Sequence, residues 1–513
     1  MRKHFVISLI LVSVLLADFK VTASNQESYM LARSSKSNNS KKISKFDSES
    51  KHKTNKLYER NTVPPYIAGF KNYAVFRIPT LLVSKKWIYS FAQGRMDTHH
   101  DFEGPQHIVF RRSKSRGHKW KPMQVLTKGE PGFICGSMSP VLLNKKTILL
   151  MWVEQHDTQD GAESKTTRVF TIKSNDAGKT WTEKKDVTYQ VRRKYDRPGK
   201  WFGVGPSSGI VKKHSPNKGR IIIVASQSGI EIGSKHKQFS PSHLIFSDDD
   251  GESWNVGATM QVKSKEATVV ELANGDLMIN ARSNDYPHRI VGLSVDGGIS
   301  FKVDGDDLRI DDVTSKNPGK LLSDCGERFT DCGVHSGLVL HSKNESSGLS
   351  NLIFSNPQGT RVERTYGTLQ YSENSGETWT SKLRYTDDSV GNKHGYSGYS
   401  NLALLDDGAS IAILFERGGT NPAEYVEGRA LIENETWQIN FNTFNAEGKP
   451  KGLTSRKRKS KRRHHMIDFK IIPFSAFTDD AIKESVQEPE GNNLKQCVKI
   501  DSSMGKIKDN ECH

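Results

Sequence analysis

Cysteine is scarce in this chain, long apolar runs are scarcer, and convincing helical periodicity is missing. Five cysteines in 513 residues suit an oxidising compartment but are too few to build a fold out of disulfides. Cys325 with Cys332, and Cys497 with Cys512, are close enough in sequence to pair, which leaves Cys135 over. Neither a Cys-x-x-Cys pair nor a histidine-rich tract is present, so no metal site is expected. The apolar run Phe5 to Ala17 is near the roughly 13-residue core of a secretory signal and short of the ~20 residues that span a bilayer. No later run comes close to a spanning length, so no membrane span is expected. The run follows the positive segment Met1-Arg2-Lys3-His4 and precedes Val21-Thr22-Ala23, whose small residues suit a signal peptidase. Residues 1–23 are therefore expected to be a signal peptide, and the remainder to be secreted or held in the lumen of the secretory pathway.

Acidic residues are too few to balance the basic ones, and the net charge is +17. Much of the surplus lies in the flanks. Ser34 to Lys56 is rich in Ser, Lys and Asn and nearly free of apolar residues, so residues 24–62 are expected to be a disordered basic linker. Arg456-Lys-Arg-Lys-Ser-Lys-Arg-Arg463 marks residues 447–513 as a basic, partly disordered tail. Such a tail is a solvated loop, a contact for anionic glycans or a membrane surface, or a dibasic protease site. Nucleic acid is not an expected partner of an exported chain. Asn38, Asn344 and Asn434 each open a glycosylation acceptor triplet.

Between the flanks the chain repeats one pattern: short β-branched and aromatic runs cut by Gly, Asn and Asp turns. Trp87–Phe91, Thr147–Val153, Arg220–Ala225 and Ile411–Phe415 are such runs. Repetition of that kind over roughly four hundred residues means a barrel, a sandwich or a propeller. An internal repeat chooses among them. Ser174-Asn-Asp176-Ala-Gly178-Lys-Thr180-Trp181 recurs from Ser247 to Trp254, from Ser294 to Phe301 and from Ser372 to Trp379, with a degenerate copy from Ser113 to Trp120 in which Ser115 replaces the acid. Each copy has the parts of a strand-joining turn: a short polar side chain that bonds backbone amides, a Gly that tolerates positive φ, and an aromatic anchor. Copies spaced by roughly 50 to 80 residues fit one per four-stranded blade of a propeller.

This unit, SxDxGxTW, is the Asp box, and with it the chain resembles the exo-α-sialidases, or neuraminidases. The resemblance runs from about Tyr66 to Phe444, where Ile439–Phe444 looks like the family's closing strand. It implies an all-β, six-bladed β-propeller over residues 63–446, acting on sialylated glycans with no cofactor. The Asp boxes lie on outer turns and are not site candidates.

Sialic acid carries a carboxylate on its anomeric carbon, so a site for it needs guanidinium groups, whose planar fork matches a carboxylate at any working pH. Arg77 in Phe76-Arg77-Ile78-Pro79, the family's FRIP motif, Arg282 at the end of an apolar strand, and Arg364 before the last Asp box resemble the family's arginine trio. Any one of them alone would read as a surface arginine; Arg361 competes with Arg364, and Arg289 with Arg282. A carboxylate-bearing substrate also calls for an uncharged nucleophile, and a phenol needs a neighbouring carboxylate to take its proton. Tyr399 resembles the family's nucleophile and Glu266 its activating glutamate, with Tyr396 and Glu271 as rivals. Asp101 resembles the acid/base, with Asp97 and Glu103 nearby; Arg95 resembles an additional basic residue of that loop, and Glu416 the buried acid that orients Arg77. The expected activity is release of terminal α-linked sialic acid with retention of configuration. Transfer of sialic acid, including intramolecular transfer, uses the same residues, and a sialoside-binding propeller without turnover is the alternative from another class.

Overall fold

The structure, a computed structural model, describes residues 62–96, 101–129, 132–156, 167–192, 201–228, 230–232, 237–239, 241–260, 263–283, 289–302, 333–358, 364–379, 381–386, 397–417 and 466–477. The expected signal peptide and most of both basic flanks lie outside these residues, as do Asp97, Arg361, Tyr396 and the segment Ile439–Phe444. The described chain is mostly β-strand joined by turns, with almost no helix. Its one α-helical turn is Thr188–Val191.

Six antiparallel sheets follow one another as the blades of a β-propeller. The first blade runs Val75–Ser84, Trp87–Arg95, Gln106–Ser113, Gln124–Thr127. The second runs Phe133–Leu142, Ile148–His156, Thr167–Ser174, Lys185–Asp186. The third is built on Phe202–Val204 and Ile210–Val211, both paired with Ile221–Gln227, followed by Ser242–Ser247 and Asn255–Thr259. Three strands of the fourth are described, Lys265–Glu271, Leu277–Arg282 and Ile290–Ser294. The fifth runs Gly337–Lys343, Ser350–Pro357, Gly367–Ser372, Ser381–Arg384.

The sixth blade draws on both ends of the described chain. Ser400–Leu404 pairs with Ser410–Arg417, which pairs with Met466–Pro473, whose far edge takes Tyr66–Ile67 in the register Tyr66 to Ile467. A strand from the start of the domain thus becomes the outer strand of the last blade and closes the ring. This corrects the boundary expected at residue 446, because Met466-Ile-Asp-Phe-Lys-Ile-Ile-Pro473 is a propeller strand that lies beyond the basic run. Its alternating apolar residues are hidden in composition by the charge in front of them.

The apolar runs are continuous because each strand is sandwiched between two neighbouring blades. Successive side chains point to opposite faces. Leu149, Met151 and Val153, with Val141 of the same blade, pack with Ile221, Ile223 and Ala225 of the third blade. Ile148, Leu150 and Trp152, on the other face, pack with Tyr89, Phe91, Ile108 and Phe110 of the first. The same split sends Ile411, Ile413 and Phe415 toward Ile353, Leu369 and Tyr385, and Ala412 and Leu414 toward Phe76, Leu81 and Ile88. Ile222 and Val224 meet Leu277 and Ile279, and Val270 and Met278 meet Leu352 and Phe354. Every one of the six gaps between blades therefore has its own core, at about 1.5–3 kcal/mol for each fully buried large aliphatic side chain.

Each Asp-box turn begins at the end of a blade's third strand. Ser174 Oγ accepts the Gly178 amide at 2.8 Å, and Asp176 Oδ1 accepts the amides of Lys179 and Thr180 at 2.9 Å each. Gly178 stands at φ +76° with the Phe110 ring against its Cα, a position with no room for a side chain. Trp181 closes the turn by meeting the Phe110 ring edge-on. The copies at Ser247, Ser294 and Ser372 repeat the serine-to-glycine bond at 2.8, 2.9 and 2.9 Å. In the degenerate copy Ser115 Oγ accepts the Lys119 amide at 2.8 Å, so a hydroxyl stands in for the missing carboxylate.

Candidate active site

The site opens where the inner strands of the blades end. First strands of successive blades pack around the axis; Asn401 Oδ1 accepts the Leu81 amide at 3.3 Å, and Ser208 Oγ donates to the Leu81 carbonyl at 2.6 Å. Two of these strands break register at site residues expected from the sequence. Pairing slips between Arg77 and Thr80, where Ile78 adopts φ +57°, and between Lys265 and Thr268, where Glu266 adopts φ +48°. A bulge re-aims a side chain away from strict alternation, and a β-branched residue at positive φ is held there only by its surroundings. At Ile78 one such restraint is the bond from its amide to Glu416 Oε1 at 3.0 Å.

Glu416 is fully buried near the end of Ser410–Arg417 and accepts three donors. Arg77 Nε reaches Oε1 at 2.7 Å, the Ile78 amide shares that oxygen, and the Tyr399 amide reaches Oε2 at 3.2 Å. One carboxylate thus ties the first blade's arginine to the sixth blade's tyrosine. Its desolvation is offset by an opposite charge and two amides, the condition under which a buried carboxylate is tolerated.

Tyr399 is 7% exposed and its hydroxyl donates to Glu266 Oε1. The other oxygen of Glu266 accepts Arg282 Nη1 at 2.8 Å. The guanidinium groups of Arg77 and Arg364 lie 5.6 and 5.7 Å from the Tyr399 ring centre. The three arginines expected from the sequence therefore converge on one phenol, two against its ring and one through its carboxylate partner. Burial and the charge of Glu266 push the phenol well above its ordinary pKa of 10, although Arg282 and Arg364 pull the other way. For Glu266, burial raises the pKa, but the charges of Arg282 and Lys265 and the bonds from Tyr399 and Arg282 outweigh it and bring it down to about 2. The proton accordingly rests on Tyr399 and the negative charge on Glu266, a neutral phenol with a charged proton acceptor already in contact.

Asp101 stands at the rim with its side chain 62% exposed and pairs through Oδ1 with Arg95 Nη2 at 2.7 Å. Burial works to raise its pKa, but the charges of Arg95, Arg77 and Arg364 and the bond from Arg95 hold it below the usual carboxylate value. Arg95 is fully buried, and burial together with Arg77 lowers it to about 10, so it keeps its charge at neutral pH. Arg77, Arg95, Asp101, Glu266 and Tyr399 line one cavity of about 490 Å³, which extends between the second and third blades past Ser137, Gln155, His156, Trp201 and Gly203. A cavity of that size takes a single sugar with its substituents.

Two rivals have other employment. Glu271 accepts the buried Lys212 at 3.1 Å and the amides of Lys213 and His214, which makes it the anchor of a turn. Arg289 is committed to Asn280 Oδ1 at 2.7 Å and the Val334 carbonyl at 2.8 Å. Glu103 offers its carbonyl to Gln106 Nε2. Other residues at the site carried no legible motif. Gly333 touches both remaining arginines: its carbonyl accepts Arg364 Nη2 at 3.3 Å, and a Cβ there would run into the Arg282 side chain. His335 is wholly buried with its ring 6.1 Å from that of Tyr399. Among the described residues no cluster of His, Cys, Asp and Glu is placed to hold a metal ion, and no helix is long and apolar enough to cross a membrane.

The family of BNR repeat-like domains matches residues 88–411. A sialidase of Micromonospora viridifaciens is 26% identical over 363 residues, covering 68% of this chain and 50% of its own length. A sialidase of Bacteroides fragilis is 26% identical over 369 residues, covering 68% of this chain and 61% of its own. The chain thus spans between half and three-fifths of these relatives. Among solved structures, a leech intramolecular trans-sialidase complexed with 2,7-anhydro-Neu5Ac superposes with a TM-score of 0.54 at 15% identity, over 82% of this chain and 71% of that one, which shows the shared fold. The chain belongs to the BNR repeat-like domain family, and the sequence relatives that it matches are sialidases.

Proposed function

We propose that the chain is a secreted, retaining exo-sialidase that releases terminal α-linked sialic acid from glycoproteins, glycolipids or oligosaccharides. The observation that carries this reading is the Tyr399–Glu266 dyad with Arg77, Arg282 and Arg364 gathered around it. The substrate carboxylate lies on the three guanidinium groups. Tyr399 attacks the anomeric carbon as its proton passes to Glu266, and Asp101 protonates the departing aglycone oxygen. Water, deprotonated by Asp101, then displaces Tyr399, and two inversions give retention. A neutral phenol suits the task because a carboxylate nucleophile would be repelled by the substrate's own charge. The arginines also prepare the acid: Arg77 and Arg364 are among the charges that hold Asp101 ionised, and a substrate carboxylate resting on them cancels part of that field. Asp101 therefore gains its proton when the site fills. Export is supported by the N-terminal charged and apolar segments, and the basic tail is suited to anionic glycans or a membrane surface.

The test is turnover of a fluorogenic aryl sialoside by the full chain and by Tyr399→Phe. Loss of turnover in the variant, with wild-type product appearing first as the α-anomer by NMR, supports the proposal. Equal turnover by both proteins, or first appearance of the β-anomer, overturns it. The same spectra report any transfer or anhydro product.

A further inference from the structure

The loop that carries Asp101 is fastened by two glutamine amides, and a third holds one of them in place. Gln155, from the second blade, donates to the Asp101 carbonyl at 3.1 Å. Gln106 donates to the Glu103 carbonyl at 2.9 Å. Gln93 is 1% exposed and lies at the other end of the network. Its Nε2 donates to Gln106 Oε1 at 2.5 Å and to the Cys135 carbonyl at 2.6 Å. Both of its N–H groups are thereby used, which fixes the orientation of the amide and turns Oε1 toward Arg95. Arg95 donates to that oxygen through Nε at 2.9 Å and Nη2 at 2.7 Å, and its Nη2 also meets Asp101.

We infer that Gln93 is a positioning residue for the acid: it sets the plane of the Arg95 guanidinium against Asp101 and, being uncharged, draws none of that positive charge away from Asp101. A carboxylate in the same place would accept the same two bonds and draw the charge away. This rests on the assignment of Asp101 as general acid. Other charged or titratable groups facing Asp101 and Arg95 belong to several blades: Arg77 of the first, His156 of the second, Glu266 with Lys263 and Lys265 beside the fourth, Arg364 of the fifth, and Tyr399 and Glu416 of the sixth. All of them remain in place when only Gln93 is changed, so a shift on substitution is traceable to it.

The experiment compares kcat/KM against pH for the full chain, Gln93→Glu and Gln93→Met on two substrates. One is a sialylated disaccharide whose sugar must be protonated to leave; the other is an aryl sialoside with an activated leaving group. In Gln93→Glu the alkaline limb on the disaccharide is expected to move up by about one pH unit, since the acid loses part of the positive field that favours its ionised form. The limb on the aryl substrate moves less. In Gln93→Met, which keeps volume but neither donates nor accepts as an amide does, the aryl-to-disaccharide ratio of kcat/KM is expected to rise about tenfold, at the lower end of what misplacing a general acid costs. Superimposable limbs in Gln93→Glu overturn the inference. If Gln93→Glu fails to fold, Gln93→Met decides, and equal losses on both substrates overturn the inference by reducing Gln93 to packing. A wild-type chain that turns over neither substrate overturns the sialidase reading and this inference with it.

Discussion

His335 gives the sharpest thermodynamic prediction. The imidazole is fully buried, beside Arg289, Glu266, Glu416 and Tyr399, with Nδ1 3.5 Å from the Glu266 carbonyl. Burial and the charge of Arg289 lower its pKa from 6.5 to about 4, against the opposing pull of Glu266 and Glu416. In the unfolded chain the same ring titrates near 6.5. Between those two values the unfolded state holds a proton that the folded state refuses, so stability falls as pH drops through this window and levels off below about 4. A separation of about 2.5 units at about 1.4 kcal/mol each makes the loss about 3 kcal/mol between pH 7 and pH 4. Replacing the ring with an amide that does not titrate, His335→Gln, removes the effect. Urea unfolding of both proteins from pH 7.5 to pH 4 checks it: the stability difference should move in the variant's favour by about 3 kcal/mol across the window. Glu266 does not confuse the measurement. Its folded pKa is depressed, so the stability it contributes is present above its unfolded pKa near 4.5 and is lost only as pH falls toward 2. Parallel curves for the two proteins from pH 7.5 to pH 4 would refute the reasoning.

The site itself sets three further outcomes. Asp101→Ala should slow release of a natural sugar aglycone by about 10²- to 10⁴-fold and an activated phenol much less; equal slowing in steady-state kinetics removes Asp101 from the acid's role. Glu416→Ala leaves Arg77 buried without its ion-pair partner, and denaturant titration should show a loss of about 3–5 kcal/mol together with weaker sialoside turnover. Gly333→Ala forces the Arg282 side chain to move, and kcat/KM should fall roughly ten- to a hundredfold, the value of about 1.5–3 kcal/mol for a bond to a charged group, with a much smaller change in Tm.

What the sequence alone could determine was whatever is written locally. An Asp box is legible because its bonds span four residues, as from Ser174 to Gly178 or Asp176 to Thr180, so the motif contains its own structure. The apolar runs were legible as strands because each is buried on both faces, as Ile148–Val153 is between two blades. The arginines, Tyr399 and Glu266 stood out through their resemblance to the family's motifs and through the chemistry that an acid-bearing sugar demands. Only the tertiary structure decided how they meet. Glu266 and Tyr399 are 133 positions apart and Arg77 and Glu416 are 339 apart, and the bulges that aim Arg77 and Glu266 have no sequence signature of their own. The same holds for ring closure by Tyr66–Ile67 on Met466–Pro473, for the space that Gly333 leaves to Arg282, and for the amide of Gln93 turned toward Arg95. Each depends on which backbone or side chain arrives from a distant strand. Local propensity carries no record of that, and packing around the propeller axis supplies it.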